Sequence, residues 1–430
     1  MNGRDPKRDR LAFGVVTAVF FMWGFITVLN DVLVPHLKSL FALDYTQAAL
    51  IQSCFFGAYF LMSLPAGKVV SCLGCKNSIV LGLAITALGA LGFLPAAALP
   101  SYPVFLSALF VLASGITLLQ VAANPYVSLL GPPEGASSRL NLSQALNSLG
   151  TALAPKFGGV LILSAGVLAP AALLALSPSQ QLAYQLQQAH AVQLPYIGIA
   201  VTLFLLALVV HLFHLPAVQE MESGDEGPHP FRDALRHRHL SFAIAAIFLY
   251  VGAEVSIGSF MINYISLPDI GDMLEARAAG YVSLYWTGAM IGRFVGAALL
   301  QRVDSRKLLA IFATVATFLV LTTMTSGGMM AVWSVVAVGL FNSIMFPTIF
   351  TLGIEGLGPL TGRGSSLLVM AIVGGALVPL AQGKLADLIG LHHAFVLPLI
   401  CYLYILFYAV AGSRRLSTDD DATPTVRARG

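Results

Sequence analysis

Residues 115–159 read GITLLQVAANPYVSLLGPPEGASSRLNLSQALNSLGTALAPKFGG. Two apolar helices joined by a short polar turn account for the stretch. Gln120 and Asn124 fall on the first helix, and Asn141, Gln144 and Asn147 on the second. The second half recurs: Arg139, Gly150, Ala152, Leu153, Pro155 and Gly159 are repeated as Arg363, Gly374, Ala376, Leu377, Pro379 and Gly383, at a constant offset of 224. An LGP tripeptide precedes each copy, at Leu130–Pro132 and Leu357–Pro359. A period of about half the chain implies two homologous halves, an arrangement found in membrane carriers.

Composition agrees. The chain is 57% hydrophobic and 10% charged, whereas soluble domains carry about 25% charged residues. A bilayer span needs about 20 apolar residues. Twelve stretches qualify, near 11–34, 46–66, 78–97, 103–129, 139–164, 194–215, 240–265, 277–300, 307–326, 329–353, 364–386 and 392–412. The expected fold class is an all-α polytopic membrane protein with twelve transmembrane helices in the lipid bilayer.

Charge placement orients it. Eighteen Lys and Arg residues, from Arg4 to Arg429, fall in alternate connections or in the tails, while the opposite connections hold Lys38 and Arg277. The positive-inside bias puts both termini in the cytoplasm, which requires an even number of spans. Eleven spans follow Leu11–Leu29 and no small-residue cleavage site does, so this stretch reads as the first span and not as a secretory signal. The expected organisation is a tail at 1–10, a six-helix bundle at 11–215, a linker at 216–239, a second bundle at 240–412 and a disordered tail at 413–430. Ala165–Gln193 reads as a long outer loop. Two short basic turns, Gly67–Lys76 and Arg302–Lys307, are either clamps between neighbouring helices or plain topology charge.

Of the twenty acidic residues, Asp31 and Glu254 lie well inside spans. A carboxylate at mid-membrane costs about 2.5–3.5 kcal/mol on insertion scales, so it faces a cavity or a partner. Asp31 is read as the site of cation coupling, and Glu254 as coupling, substrate-binding or structural. Gln120 and Asn124 are four apart, and Asn141, Gln144 and Ser148 are spaced three and four, so each set shares a helix face. Amides both donate and accept hydrogen bonds, which suits sugar hydroxyls; alternatively they join helices. Trp23 and Trp286 either stack on a pyranose ring or anchor and pack.

Other chemistries are missing their motifs. Gly67-Lys68 and Gly383-Lys384 are followed by Val69 and Leu385, and Met62 and Val378 stand where a phosphate-binding loop needs its first glycine. Cys72-x-x-Cys75 has no second pair. No metal site, no cofactor and no nucleic-acid partner is expected, and an ion gradient must drive any accumulation.

Phe20–Lys38 (FFMWGFITVLNDVLVPHLK), Gln120–Thr151 and Tyr250–Ile265 (YVGAEVSIGSFMINYI) resemble the fucose:proton symporter family of the major facilitator superfamily, and within it the glucose/galactose transporter branch. The resemblance implies two pseudo-symmetric six-helix bundles, alternating access and a hexose carried with a cation. It puts the protonation site on Asp31 and sugar-lining polar positions on Asn30, Asn141 and Gln144. The fucose-transporting member has a carboxylate where this chain has Gln120 and an amide where it has Glu254. The overall expectation is a monomeric D-glucose/D-galactose symporter of a bacterial inner membrane, coupled to H⁺, with Na⁺ as the alternative ion. Asp31 and Glu254 are the coupling candidates. Asn30, Gln120, Asn124, Asn141, Gln144, Glu254 and Asn342 are the substrate-binding candidates. L-Fucose or N-acetylhexosamine is the alternative cargo, and a membrane enzyme or a non-transporting sugar receptor the alternative class.

Overall fold

The computed structural model describes residues 6–40, 45–98, 101–161, 176–216 and 231–414. In chain order the helices are α1 (Pro6–Leu40), α2 (Tyr45–Ala98), α3 (Tyr102–Leu129), α4 (Ala136–Leu161) and α5 (Pro178–Leu212). After them come α6 (Arg238–Ile265), α7 (Glu275–Leu299), α8 (Ser305–Thr325), α9 (Gly328–Asn342), α10 (Met345–Ile354), α11 (Thr361–Met370), α12 (Gly374–Ile389) and α13 (Val396–Phe407). Short helical turns at Phe231–Leu235 and Leu391–Ala394 join them. Within the described residues each expected span is helical over most of its length. α2 holds the second and third, α9 with α10 forms the tenth, and α11 with α12 the eleventh. Among the described residues nine stretches are long and apolar enough to cross a membrane, one of them, Leu50–Ala96, having the length of two spans. α4 and α7 have the length, at 26 and 25 residues, but are more polar.

The surface follows the bilayer. On α5, Tyr196, Ala200, Leu203 and Val210 are buried, while Leu194, Val201, Leu205 and Leu212 are exposed. A helix apolar on both faces suits a neighbour on one side and lipid on the other. An apolar recess of about 680 Å³ opens between α1, α4 and α5, lined by Phe21, Phe25, Leu153, Phe157, Leu194 and Ile199 among others. Among the described residues, none of the predicted site residues lines it.

Breaks occur where the sequence forces them. α2 turns between its two spans at Gly74, whose φ of 73° is left-handed and favours glycine. The short basic turn expected over Gly67–Lys76 is thus confined to Gly74, with helix on either side. The tenth span breaks after Asn342 because Pro347 has no N–H to give the Ser343 carbonyl and its ring crowds that group. α5 begins at Pro178, well inside the segment read as an outer loop. Ser177 Oγ accepts from the Gln180 amide while Gln180 Oε1 accepts from the Ser177 amide, a capping box with proline at the first helical position. Likewise α1 starts at Pro6, inside the expected tail. Residues 217–230 of the linker, 162–164 of the fifth expected span, 165–175 of the outer segment and 415–430 of the tail lie outside the described residues.

The repeat read from the sequence is a packing repeat. In the first half α1 packs on α4, and α2 on α3 and α5; in the second, α6 packs on α10, α12 and α13. A Cβ on Gly150 would stand 2.3 Å from the Phe21 carbonyl oxygen, and one on Gly374 2.0 Å from the Phe248 carbonyl oxygen. Both glycines therefore let the fifth or eleventh span lie directly on the backbone of the first or seventh. Between halves, α2 meets α11 and α4 meets α7. These are the second-with-eleventh and fifth-with-eighth pairs, which exchange under a shift of six spans. α3 with α11 and α4 with α10 form a second exchanging set.

Candidate functional site

The polar contacts between halves gather toward the end that carries the basic connections at Lys68, Arg139 and Arg363. Ser137 and Thr351 hydroxyls are 2.6 Å apart. Ser138 Oγ donates to the Ala297 carbonyl at 2.7 Å, and Asn141 Nδ2 stands 3.5 Å from Thr348 Oγ1. Ser365 Oγ donates at 2.9 Å to the carbonyl of Val121, the group that Pro125, four residues on, leaves without its helical donor. Gly67 packs directly on Ser366. At this end the two halves are in contact.

Arg139 holds the turn of the quoted stretch. Its guanidinium donates to the carbonyls of Val127, Ser128 and Pro132, at 3.2, 2.6 and 2.9 Å. The first two carbonyls lie in the last turn of α3, where helix geometry supplies no amide partner further along, and the third, just beyond the helix, also accepts from the Gly135 amide at 3.1 Å. Glu355 and Asp304 stand at helix ends and are both partnered. Glu355 pairs with Arg306 at 2.5 Å, and Asp304 accepts from the Arg306 and Lys307 amides at 3.0 and 3.1 Å.

In the second half a buried network surrounds Glu254. Tyr250 Oη, one turn earlier on α6, donates to Glu254 Oε1 at 2.7 Å and lies 3.1 Å from the Asn342 carbonyl oxygen. Asn342 Nδ2 donates to Tyr285 Oη at 2.7 Å, and Tyr402 Oη donates to Asn342 Oδ1 at 2.7 Å. Tyr285 Oη donates in turn to the Glu254 carbonyl at 3.3 Å. Glu254 and Asn342 are thus brought together by tyrosines from α6, α7 and α13. The Asn342 amide oxygen and one amide proton are already committed.

Arg293 on α7 completes the site, and the sequence reading missed it. Its Nη2 is 3.9 Å from Glu254 Oε1, Nε donates at 3.3 Å to the Ser343 carbonyl left free by Pro347, and Nη1 donates to Ser148 Oγ of the other half. The side chains of Arg293 and Glu254 are 14% and 12% exposed, so this is a sequestered charge pair. At 4 Å, opposite unit charges attract by about 4 kcal/mol at an effective dielectric of 20, before desolvation is charged against them. An arginine inside an apolar span was itself the signal. Arg293 sits within a span, outside the connections whose charges set the topology.

In the first half the amides divide. Gln120 Nε2 donates to Tyr59 Oη at 2.7 Å. Asn147 Nδ2 donates to the Phe20 carbonyl at 2.8 Å and, with the Thr17–Ser143 hydroxyl pair, ties α4 to α1. Asn141 Nδ2 also donates to its own helix at Ser137 O, 2.9 Å away. Both amide atoms of Asn124 are buried without a hydrogen-bond partner among the described residues. Gln144 is buried on the helix face shared by Asn141 and Ser148. Trp23 is in the core against Phe20, and Trp286 is 43% exposed beside Tyr285. Asn30 and Asp31 belong to α1, but their side chains lie outside the described residues. Among the described residues no group of His, Cys, Asp and Glu could hold a metal ion.

The comparisons agree with this architecture. The model for the Major Facilitator Superfamily matches residues 11–377. A glucose/galactose transporter of Brucella abortus is 52% identical over 414 residues, 95% of this chain and 96% of the relative. The L-fucose-proton symporter of Escherichia coli K12 is 38% identical over 94% of each chain. A crystal structure of a major facilitator transporter, FucP, in the outward conformation superposes with a TM-score of 0.87 at 37% identity, covering 94% of this chain and 98% of that one.

Proposed function

The chain belongs to the major facilitator superfamily, and on that premise we propose that it is a secondary active transporter that imports D-glucose and D-galactose with protons. The observation that carries this reading is the 52% identity, over nearly the full length, to a glucose/galactose transporter. The cavity carboxylates support it as well. Glu254 stands in the seventh span and Gln120 in the fourth, opposite to the arrangement that the resemblance gives for a fucose carrier.

Asp31 is the principal coupling carboxylate in this reading, with Glu254 as the second. Asn30, Gln120, Asn124, Asn141 and Gln144 of the first half face the sugar hydroxyls. Glu254 receives them from the second half, with Asn342 fixing its surroundings through Tyr285 and Tyr402. The two bundles, 11–215 and 240–412, rock about the sugar and are joined by the linker 216–239. The protein works as a monomer in a bacterial inner membrane with both termini cytoplasmic, and the closed end then faces the cytoplasm.

Uptake of labelled D-glucose and D-galactose into energised vesicles, with and without the protein, tests the reading. Protein-dependent accumulation of either sugar supports it. Accumulation of L-fucose or N-acetylglucosamine alone would reassign the cargo, and absence of all four would overturn the reading.

A further inference from the structure

Arg293 is the one described side chain that touches both the Glu254 carboxylate and the opposite half of the molecule. We propose that Arg293 is a charge-gated latch. While Glu254 is ionised, Arg293 holds α7 to α4 through Ser148; when Glu254 takes up a proton, the latch is released. The proposal rests on the reading of Glu254 as a coupling carboxylate and supplies the step by which its charge reaches the bundles.

The latch is electrostatic. A guanidinium stays protonated throughout the working range. In the closed arrangement it has one anionic partner, Glu254, and two neutral acceptors, Ser148 Oγ and the Ser343 carbonyl. A proton on Glu254 leaves a full positive charge, largely shielded from water, between neutral groups. A sequestered charge without its counter-charge is strongly unfavourable. Moving α4 away from α7 admits water to it. Neutral Glu254 therefore favours opening at this end, and ionised Glu254 favours closure.

The other groups facing Glu254 do not compete for this role. Tyr250 comes from its own helix, Tyr285 and Arg293 from α7, Asn342 from α9 and Tyr402 from α13. Phenols and guanidinium groups ordinarily titrate near or above about pH 10, outside the range in which a carboxylate proton moves. Ser148 lies one turn along α4 from Gln144, on the face that meets the second half. The latch therefore grips the helix that also presents the proposed sugar amides.

The test uses the full chain with Cys54, Cys72, Cys75 and Cys401 replaced by alanine and Ser137→Cys as reporter. Ser137 is buried at the closed end, against Thr351. The rate at which N-ethylmaleimide alkylates it in detergent, without sugar, reads opening. Each rate is divided by the rate in SDS at the same pH, which removes the thiol's own titration. The rate is expected to rise about tenfold from about pH 8 to about pH 5.5. Glu254→Gln is expected to alkylate fast at every pH. In an Arg293→Met background, adding Glu254→Gln should change the rate by less than about twofold, because the carboxylate acts through the arginine. If Arg293→Met does not give a monodisperse protein, Arg293→Gln, which also removes the charge but keeps hydrogen-bonding capacity, takes its place in the cycle with the same expectation. Independent, multiplying effects of the two substitutions would overturn the proposal, as would slow alkylation in Glu254→Gln. Sugar is absent throughout, so a wrong cargo leaves these outcomes untouched and shows only in the uptake experiment.

Discussion

Asn141 and Ser365 hold the same place in the two copies of the repeat, two residues after Arg139 and Arg363, and each reaches across to the opposite half. Asn141 Nδ2 stands 3.5 Å from Thr348 Oγ1, and Ser365 Oγ donates to the Val121 carbonyl at 2.9 Å. A sequence repeat has become a pair of symmetry-related contacts that close one end of the molecule. Asn141, expected to touch sugar, is also part of that closure.

Locking the contact should stop the cycle. The Ser137 and Thr351 hydroxyls are 2.6 Å apart, so cysteines at both positions are placed for a disulfide. In the Ser137→Cys/Thr351→Cys chain, oxidant should abolish both uptake and counterflow, and reductant should restore them. Full transport by a completely cross-linked protein would mean that this end need not open.

The two close-approach glycines should be intolerant of side chains. Gly374→Val and Gly150→Val place carbon where the Phe248 and Phe21 carbonyls stand. Each is expected to destabilise by about 1–3 kcal/mol or more, read as a lower melting temperature in detergent. Gly14→Ala meets open space and should melt with the parent. Equal melting of all three would remove the basis for the symmetric packing.

Asn342 should act through its neighbours. Tyr402→Phe strips the donor from Asn342 Oδ1, and a buried unpaired acceptor costs about 1–3 kcal/mol. Tyr402→Phe and Asn342→Ala should therefore raise the KM for sugar by similar factors. A large increase for Asn342→Ala beside an unchanged KM for Tyr402→Phe would instead make Asn342 a direct sugar ligand.

Asp31→Asn removes a group that can carry a proton and keeps its shape. The variant should lose accumulation against a gradient yet retain counterflow, since exchange of bound sugar needs no net proton movement. Normal accumulation would move coupling to Glu254.

Much of the fold was legible because a bilayer imposes one length and one polarity on each span. Gly150 and Gly374 could be read as a repeat without knowing which carbonyls they meet. The legible part thinned where function concentrates. α4 and α7, which are not among the described stretches apolar enough to cross a membrane by composition alone, meet each other and bear Asn141, Ser148 and Arg293. Arg293 hid because its partners, Glu254, Ser148 and Ser343, are far away in sequence. The tyrosines around Asn342 come from three helices, and nothing in local spacing foretells their convergence. Asn147 was legible only as an amide on the fifth span, and the structure spends it on the Phe20 carbonyl. The proline breaks lay between, since Pro125 and Pro347 announce free carbonyls but not that Ser365 and Arg293 take them.

Proton movement with sugar is the most direct test of the central claim. De-energised vesicles containing the protein would be held in a lightly buffered medium, and D-glucose or D-galactose added while external pH is recorded. Proton symport predicts a transient alkalinisation that accompanies sugar entry, disappears with a protonophore and is absent in Asp31→Asn. Labelled sugar entering with no change in external pH, above all if entry required Na⁺, would contradict it.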